Sequence, residues 1–238
     1  MLASGHVVSL HRWPVKSMGG ERVGALDTDV EGAAGDRAHA LFEEHRGSPR
    51  RLSIREAPRM VLWHATYGQP EIDRADPPLP ALTAPDGTRW TWGDPGLKEA
   101  IEADLGRPVE LRRDPTLLQD LADSLLLTTA ASHADVEAHV GPLDLRRWRT
   151  NVHVELDAGA FAESGWEGAE MTIGAARFAL LHPCIRCVIP TRDPDTSERK
   201  AELLRWLARE RGTIFGINAR ALGPGRIAEG DRVEIRQP

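Results

Sequence analysis

The sequence predicts a mainly β protein with some helices, of the α+β class. Short runs of β-branched and aromatic residues recur along the 238 residues, punctuated by 22 glycines and 17 prolines. Only a few stretches carry a helical period. Hydrophobic residues make up 41% and charged residues 28% of the chain, the balance of a packed globular protein rather than a disordered or fibrous one. Length divided by about 150 gives roughly 1.6, too long for one average domain and short for two.

The first hundred-odd residues read as strands and turns. His6 to Trp13 is β-rich and stops at Pro14, Val23 to Val30 alternates loosely, and Arg37 to Phe42 follows a Gly-Asp turn. Arg59 to Thr66, containing Met60-Val61-Leu62-Trp63, reads as a further strand, and a Pro-Asp-Gly turn at Gly87 delivers Thr88 to Trp92. Strands at this spacing suggest a barrel or a folded-over sheet. Asp94-Pro95 reads as an N-cap with proline at the first helical position, opening a helix from Gly96 to Leu105 that Gly106 closes. Val109 to Arg112 is strand-like, and a polar joint follows at Asp114-Pro115. Leu125-Leu126-Leu127 reads as a buried strand, Thr128 to Val140 as a helix capped by Thr128 or Thr129, and Asn151 to Leu156 as a strand. Met171-Thr172-Ile173 and Arg177 to Leu181 form a hairpin about Gly174. Leu203, Leu204 and Leu207 share one face of a late helix, and Ile214 to Ile217 and Arg232 to Arg236 end the chain as strands.

Charge and composition exclude several function classes. The 30 basic and 36 acidic residues leave a net charge of −6, so no nucleic-acid partner is expected. No run of 18 apolar residues is present, and Met1-Leu2-Ala3-Ser4-Gly5-His6 has neither the basic start nor the apolar stretch of a signal peptide. No membrane partner is therefore expected, and a cytoplasmic protein is. Only 2 cysteines are present, Cys184 and Cys187, which speaks against a disulfide scaffold. A Gly-x-Gly-x-x-Gly fingerprint, a P-loop and a Gly-x-Ser-x-Gly elbow are all absent, which disfavours common nucleotide enzymes and serine hydrolases. The 9 histidines form no metal-ligand pattern; His182 alone lies beside interesting chemistry.

The strongest local signal is Pro183-Cys184-Ile185-Arg186-Cys187. Half a zinc site would need a second ligand pair. A thioredoxin-like pair should open a helix, whereas Val188-Ile189-Pro190 continues in extended style. Two buried structural cysteines are the ordinary reading. A thiolate ligand to a soft transition metal, with Arg186 supporting an anionic group, is the fourth, and spacing alone does not choose among them. Lys16 and Ser17 stand at a strand end in Pro14-Val15-Lys16-Ser17, and Arg37 follows Gly35-Asp36; both read equally as solvated turns. Arg146, Arg147 and Arg149 crowd three guanidinium groups ahead of Asn151, either as an anion clamp or as a surface charge run. Thr129 and Ser132 at a helix start either add donors to the same anion or form an ordinary cap.

Taken together and in order, these pieces resemble a known family. Trp13 to Ser17, Gly35-Asp36-Arg37 and Ser53 to Arg59 look like the N-terminal β-barrel domain that precedes MOSC domains. Arg149-Thr150-Asn151, Phe161 to Trp166, Pro183 to Cys187, Thr191 to Thr196, Phe215-Gly216 and Gly225 to Asp231 look like the MOSC domain, the C-terminal module of molybdenum cofactor sulfurases. The resemblance implies an N-terminal MOSC-type β-barrel domain at 1–113 packed on a MOSC β-barrel domain at 114–238. It extends to the amidoxime-reducing component of mitochondria and to bacterial proteins that detoxify N-hydroxylated bases.

That resemblance implies a molybdopterin-type molybdenum cofactor between the domains, with Cys187 as the thiolate on the metal. Lys16, Ser17, Arg37 and Arg149 would hold the pterin phosphate and ring, with Asn151, Thr129 and Ser132 nearby and Arg186 beside the ligand. Asn218 stands where the amidoxime-reducing proteins carry a tyrosine near the metal, which implies a pocket of different size and hydrogen bonding. No ferredoxin-like cysteines follow, so electrons are expected from a separate protein. The expected function is reduction of N-hydroxylated small molecules. The alternative from another class is a molybdopterin or persulfide carrier without turnover, and an orphan fold without cofactor is the third.

Overall fold

The computed structural model describes residues 1–69, 71–113 and 125–237. The polar joint at Asp114 and Pro115 lies outside the described residues. In chain order the first half runs β1 (Ala3–Arg12), β2 (Glu21–Val23), β3 (Ala25–Asp29), β4 (Gly32–Ala33), β5 (His39–His45), β6 (Ser48–Arg51), β7 (His64–Thr66), β8 (Ala81–Thr83), β9 (Arg89–Thr91), α1 (Leu97–Leu105) and β10 (Glu110–Arg113). The second half runs β11 (Leu125–Thr129), α2 (Ala130–Val140), β12 (Val152–Leu156), β13 (Glu170–Ile173), β14 (Ala176–Ile185), α3 (Ala201–Arg211), β15 (Ile214–Ala221), β16 (Gly225–Ala228) and β17 (Arg232–Arg236). None of the described helices is long and apolar enough to cross a membrane.

The second half builds a closed barrel, and the first strand of the chain completes it. The strand order is β12-β11-β15-β14-β13-β17-β1, and β1 pairs back onto β12, so seven strands form a ring with β2 appended to β1. Alternation drives this. Met171, Ile173, Val233 and Ile235 point inward from β13 and β17 and are buried, while their neighbours Thr172 and Glu234 are not. They join Val7, Leu127, Val154, Phe178 and Ile217 in one core. The remaining first-half strands, with β16 from the second half, form three small sheets, β10-β5-β6, β16-β3-β4 and β7-β8-β9, two of them packed over a second core of Met18, Leu41, Met60, Trp63, Leu82 and Ile101.

Two expected elements take a different form. Met60 and Val61 lie in a 3₁₀ turn over Pro58–Leu62, and the strand begins only at His64. Pro58 fixes φ for a turn and has no N–H for a ladder, and the turn still buries Met60. Helix α1 begins one turn after Asp94: Gly96, at φ 88°, is its N-cap, and the Asp94 carboxylate accepts instead from the Thr91 amide at 2.6 Å. Gly106 at φ 66° ends that helix, and Thr129 caps α2 by accepting from the Ser132 amide, both at the expected positions.

Candidate functional site

A cavity of about 660 Å³ opens between the two halves of the sequence. From the first half it is lined by Lys16, Ser17, Arg37, Arg50, Arg51, Ser53, Ile54, Arg55 and Glu56. From the second come Leu126, Trp148, Arg149, Asn151, Cys184, Ile185, Arg186, Cys187, Ile189 and Asn218. Seven basic side chains and one carboxylate thus share one cavity in a chain of net charge −6. Low-dielectric walls around like charges focus a positive potential there.

Backbone zippering sets the first-half wall. The Trp13 amide donates to Asp36 at 2.7 Å, the Arg37 amide to the Trp13 carbonyl at 2.7 Å, and the Lys16 amide to the His39 carbonyl at 2.9 Å. These bonds lock the segment holding Lys16 and Ser17 against the turn holding Arg37. Gly35 makes that turn at φ 76°, where a Cβ would stand 2.8 Å from the Tyr67 ring. Ser17, Arg37 and Arg149 all adopt left-handed backbone, at φ 68°, 54° and 54°. Each costs on the order of 1–2 kcal/mol for a residue with a Cβ, a strain that clusters at functional sites.

On the second-half wall, Arg149 follows a short 3₁₀ turn over Leu145–Trp148. Its guanidinium lies 4.3 Å over the Trp13 ring and donates to the Met18 carbonyl, so it is anchored across to the first half. Asn151 lines the cavity as a clip: its Oδ1 accepts from the Leu126 amide at 3.2 Å and its Nδ2 donates to the His11 carbonyl at 3.3 Å. Strand β14 loses register between Leu180 and Pro183 and again between Pro183 and Ile185, a bulged stretch that re-aims the side chains around Cys184. Arg186 is 8% exposed and donates through Nη1 to the Cys184 sulfur at 3.1 Å and through Nη2 to the Trp148 carbonyl. Its Nε is buried with no hydrogen-bond partner among the described residues. Asn218, also buried, donates through Nδ2 to the His182 carbonyl at 3.3 Å and lies 3.2 Å from His182 Nδ1.

The two cysteines are free and half-buried. Among the described residues no three His, Cys, Asp or Glu side chains converge as a ligand set, so the half-zinc-site reading finds no second pair. A 3₁₀ turn over Ile189–Thr191 follows Cys187, not the α-helix of a thioredoxin-like pair.

The structure brings Lys16, Ser17, Arg37, Arg149, Asn151, Arg186, Cys187 and Asn218 to one cavity. Thr129 and Ser132, expected near the anion, are not among its lining residues. Both hydroxyls face the buried carboxyl of Glu163, Ser132 at 2.9 Å and Thr129 at 3.4 Å, and all three side chains are buried. The arginine run also divides. Arg146 pairs with Asp144 and Asp195 and Arg147 with Asp193, leaving Arg149 as the member that lines the cavity. Sequence reasoning gave no site role to Arg50 and Arg51, nor to Arg55, although Arg55 lies within the Ser53 to Arg59 motif. Their signal is a basic pair followed by Ser53 and Glu56 at capping-box spacing, hidden by the arginine-rich, lysine-poor composition.

Residues 114–234 match the MOSC domain, and residues 4–87 match the MOSC N-terminal beta barrel domain. The chain belongs to the MOSC domain family. A stretch of 75 residues, 31% of the chain, is 35% identical to the molybdenum cofactor sulfurase of Bos taurus and spans 8% of that protein. The YUAD protein from Bacillus subtilis shares the fold, with a TM-score of 0.54 over 99% of this chain and 97% of its own at 14% identity. Within the MOSC domain match lie Arg149, Arg186, Cys187 and Asn218; within the N-terminal match lie Lys16, Ser17, Arg37, Arg50, Arg51 and Arg55. Strand β1, although inside the N-terminal match, closes the barrel of the MOSC domain.

Proposed function

We propose that this cavity binds a molybdopterin-type molybdenum cofactor with Cys187 as the protein thiolate on the metal, and that the chain reduces N-hydroxylated small molecules. The observation that supports the reading is the joint lining: a half-buried cysteine after a bulged strand shares its cavity with seven basic groups and one carboxylate. The donor chemistry fits. A soft metal that arrives with its own sulfur ligands needs a single thiolate from the protein. The buried Nε of Arg186, without a partner among the described residues, is a donor suited to an acceptor on the cofactor.

When bound, the molybdenum centre supplies a two-electron couple able to take up an oxygen atom. Lys16, Arg37 and Arg149 hold the cofactor phosphate by charge-assisted hydrogen bonds, and Ser17 adds a hydroxyl. Asn151 keeps the wall in place by tying β1 to β11. Asn218 commits its amide nitrogen to His182, which leaves its carbonyl oxygen to accept from a substrate N–H or O–H. Overall the N–O bond of R–NH–OH breaks, two electrons and two protons enter, and R–NH₂ and water leave. The electrons come from a separate electron-transfer protein, and the free cysteines suit a reducing compartment such as the cytoplasm.

A second reading rests on the 3.1 Å contact from Arg186 to the Cys184 sulfur, since a guanidinium beside the pair would also favour a persulfide on Cys187. Turnover separates the two. Protein loaded with molybdenum is mixed with dithionite-reduced methyl viologen and N-hydroxyadenine; dye oxidation with adenine formation, lost in Cys187→Ser, is expected. Loaded protein that leaves the dye reduced refutes the reductase, and cyanide-releasable sulfur on Cys187 then supports the carrier.

A further inference from the structure

The seven basic groups of the cavity fall into two tiers: those assigned to the cofactor, among them Arg37, which is half-buried and paired with Asp36, and those of one outer segment. Lys16, Arg149 and Arg186 are at most 8% exposed, whereas Arg50 and Arg51 are half-buried and Arg55 is exposed. The outer tier comes from one short piece of chain, β6 and the turn after it. That turn is held firmly: the Ser53 hydroxyl and amide both donate to the Glu56 carboxylate, at 2.7 and 3.1 Å, and the Ala57 amide donates back to the Ser53 carbonyl at 3.0 Å. Glu56 is thus occupied within its own turn. Glu43 accepts from Arg50 and also, at 2.9 Å, from Arg107, so one carboxylate serves two guanidinium groups. Arg50, Arg51 and Arg55 together bring three guanidinium groups to one wall of the cavity, a donor geometry that matches phosphate oxygens bidentately.

Lys16, Arg37 and Arg149, the groups assigned to the cofactor phosphate, already supply three cations to one dianion, which leaves the rim for a second anion. The same cavity also carries apolar side chains. Ile185, flanked by the two cysteines, is 74% exposed, and Ile54 and Ile189 line the same cavity. An exposed isoleucine beside a reacting centre is a platform for a flat apolar body. We infer that Arg50, Arg51 and Arg55 form a second phosphate subsite, and that the substrate is an N-hydroxylated nucleotide rather than a free base. The inference rests on the cofactor reading for the cofactor tier. The N-hydroxylated end faces Cys187, the base covers Ile185, and the 5′-phosphate meets the rim arginines.

The same phosphate chemistry could come from a nucleotide extension of the cofactor itself, and the test separates the sources. The full chain is purified from a host that makes molybdopterin, as wild type and as the double variant Arg51→Gln/Arg55→Gln. Both residues lie outside the packed core, and Arg50 keeps its pair with Glu43. Dissociation constants are measured calorimetrically for 6-hydroxylaminopurine riboside and its 5′-monophosphate, and molybdenum is counted in both proteins. Wild type is expected to bind the monophosphate about tenfold or more tighter, the factor that 1.4 kcal/mol corresponds to. The double variant is expected to lose that preference with unchanged molybdenum content and unfolding temperature. Equal affinities in wild type, or a preference that survives the double substitution, overturns the subsite. A preference lost together with molybdenum assigns the rim to the cofactor and overturns it too. Absence of molybdenum from wild type defeats the cofactor reading alone, because the binding preference is read without turnover.

Discussion

Arg149 sits at φ 54°, stacks 4.3 Å over Trp13 and donates to the Met18 carbonyl, so one side chain joins the two halves while presenting charge to the cavity. Removing it has two consequences. Each charge-assisted hydrogen bond to a phosphate is worth about 1.5–3 kcal/mol, so Arg149→Ala should lower cofactor occupancy about tenfold or more. Because the residue is also 6% exposed and anchored, the same substitution should lower the unfolding temperature by several degrees. Arg112→Ala is the control, since Arg112 pairs with Glu110 and lies outside the cavity. Cofactor retention after desalting equal in the two variants would remove Arg149 from the binding role. Its neighbours Arg146 and Arg147 carry the same side chain in the sequence and pair elsewhere, a distinction set by partners 46 to 49 positions away.

At the scale of elements, the start of α2 holds a buried acid. Glu163 is fully buried, and burial raises its pKa against the opposing bonds from Ser132 and Thr129 and the Arg211 charge. A carboxyl whose folded pKa is raised contributes stability below its unfolded value and loses it as pH rises through the folded value. Glu163→Gln keeps an acceptor for Ser132 and cannot ionise, so the variant should lose less stability than wild type between pH 5 and pH 8, about those limits of the neutral range. Parallel unfolding curves across that range would contradict a buried ionisable role. The element was legible in part: Thr129 as a cap follows from a hydroxyl ahead of a helical run, but its second partner, 34 positions on, does not. Pro58 and Gly96 show the converse. Local backbone rules placed a 3₁₀ turn and a glycine N-cap where apolar runs and Asp94 suggested a strand and a side-chain cap.

Two properties belong to the whole molecule. The first is closure. Strand β1 pairs with β12 and β17, so residues 114–238 alone would expose two open barrel edges and lack the seventh strand. That fragment should be aggregated or protease-sensitive, and joining residues 1–12 to it should restore cooperative unfolding; a fragment that unfolds cooperatively by itself would contradict closure by β1. The strand itself was legible from alternation, whereas its membership in the distant barrel depends on pairing that no local pattern encodes. The second is acid lability. Burial pushes His11, His39 and His153 down to about 4. A base with a lowered folded pKa supports the fold above its unfolded value near 6.5 and withdraws that support as pH falls towards 4, on the order of 3 kcal/mol each at full protonation. The urea midpoint should therefore drop between pH 7 and pH 4.5, about the span of that titration, and equal midpoints would contradict it.

The cavity itself was legible because Lys16, Ser17, Arg37, Arg149, Asn151, Arg186 and Cys187 fall in short motifs whose order resembles a family, while Arg50 and Arg51 had no such context. Its central claim is that the cavity holds a molybdenum cofactor through Cys187. Elemental analysis of the full chain, purified from a host that makes molybdopterin, tests this most directly. The account predicts about one molybdenum per chain in wild type, a similar content in Cys184→Ser, and near loss in Cys187→Ser, because a neutral hydroxyl is a poor ligand where a soft metal takes thiolate. Wild type without molybdenum, or Cys187→Ser that retains it, would contradict the account.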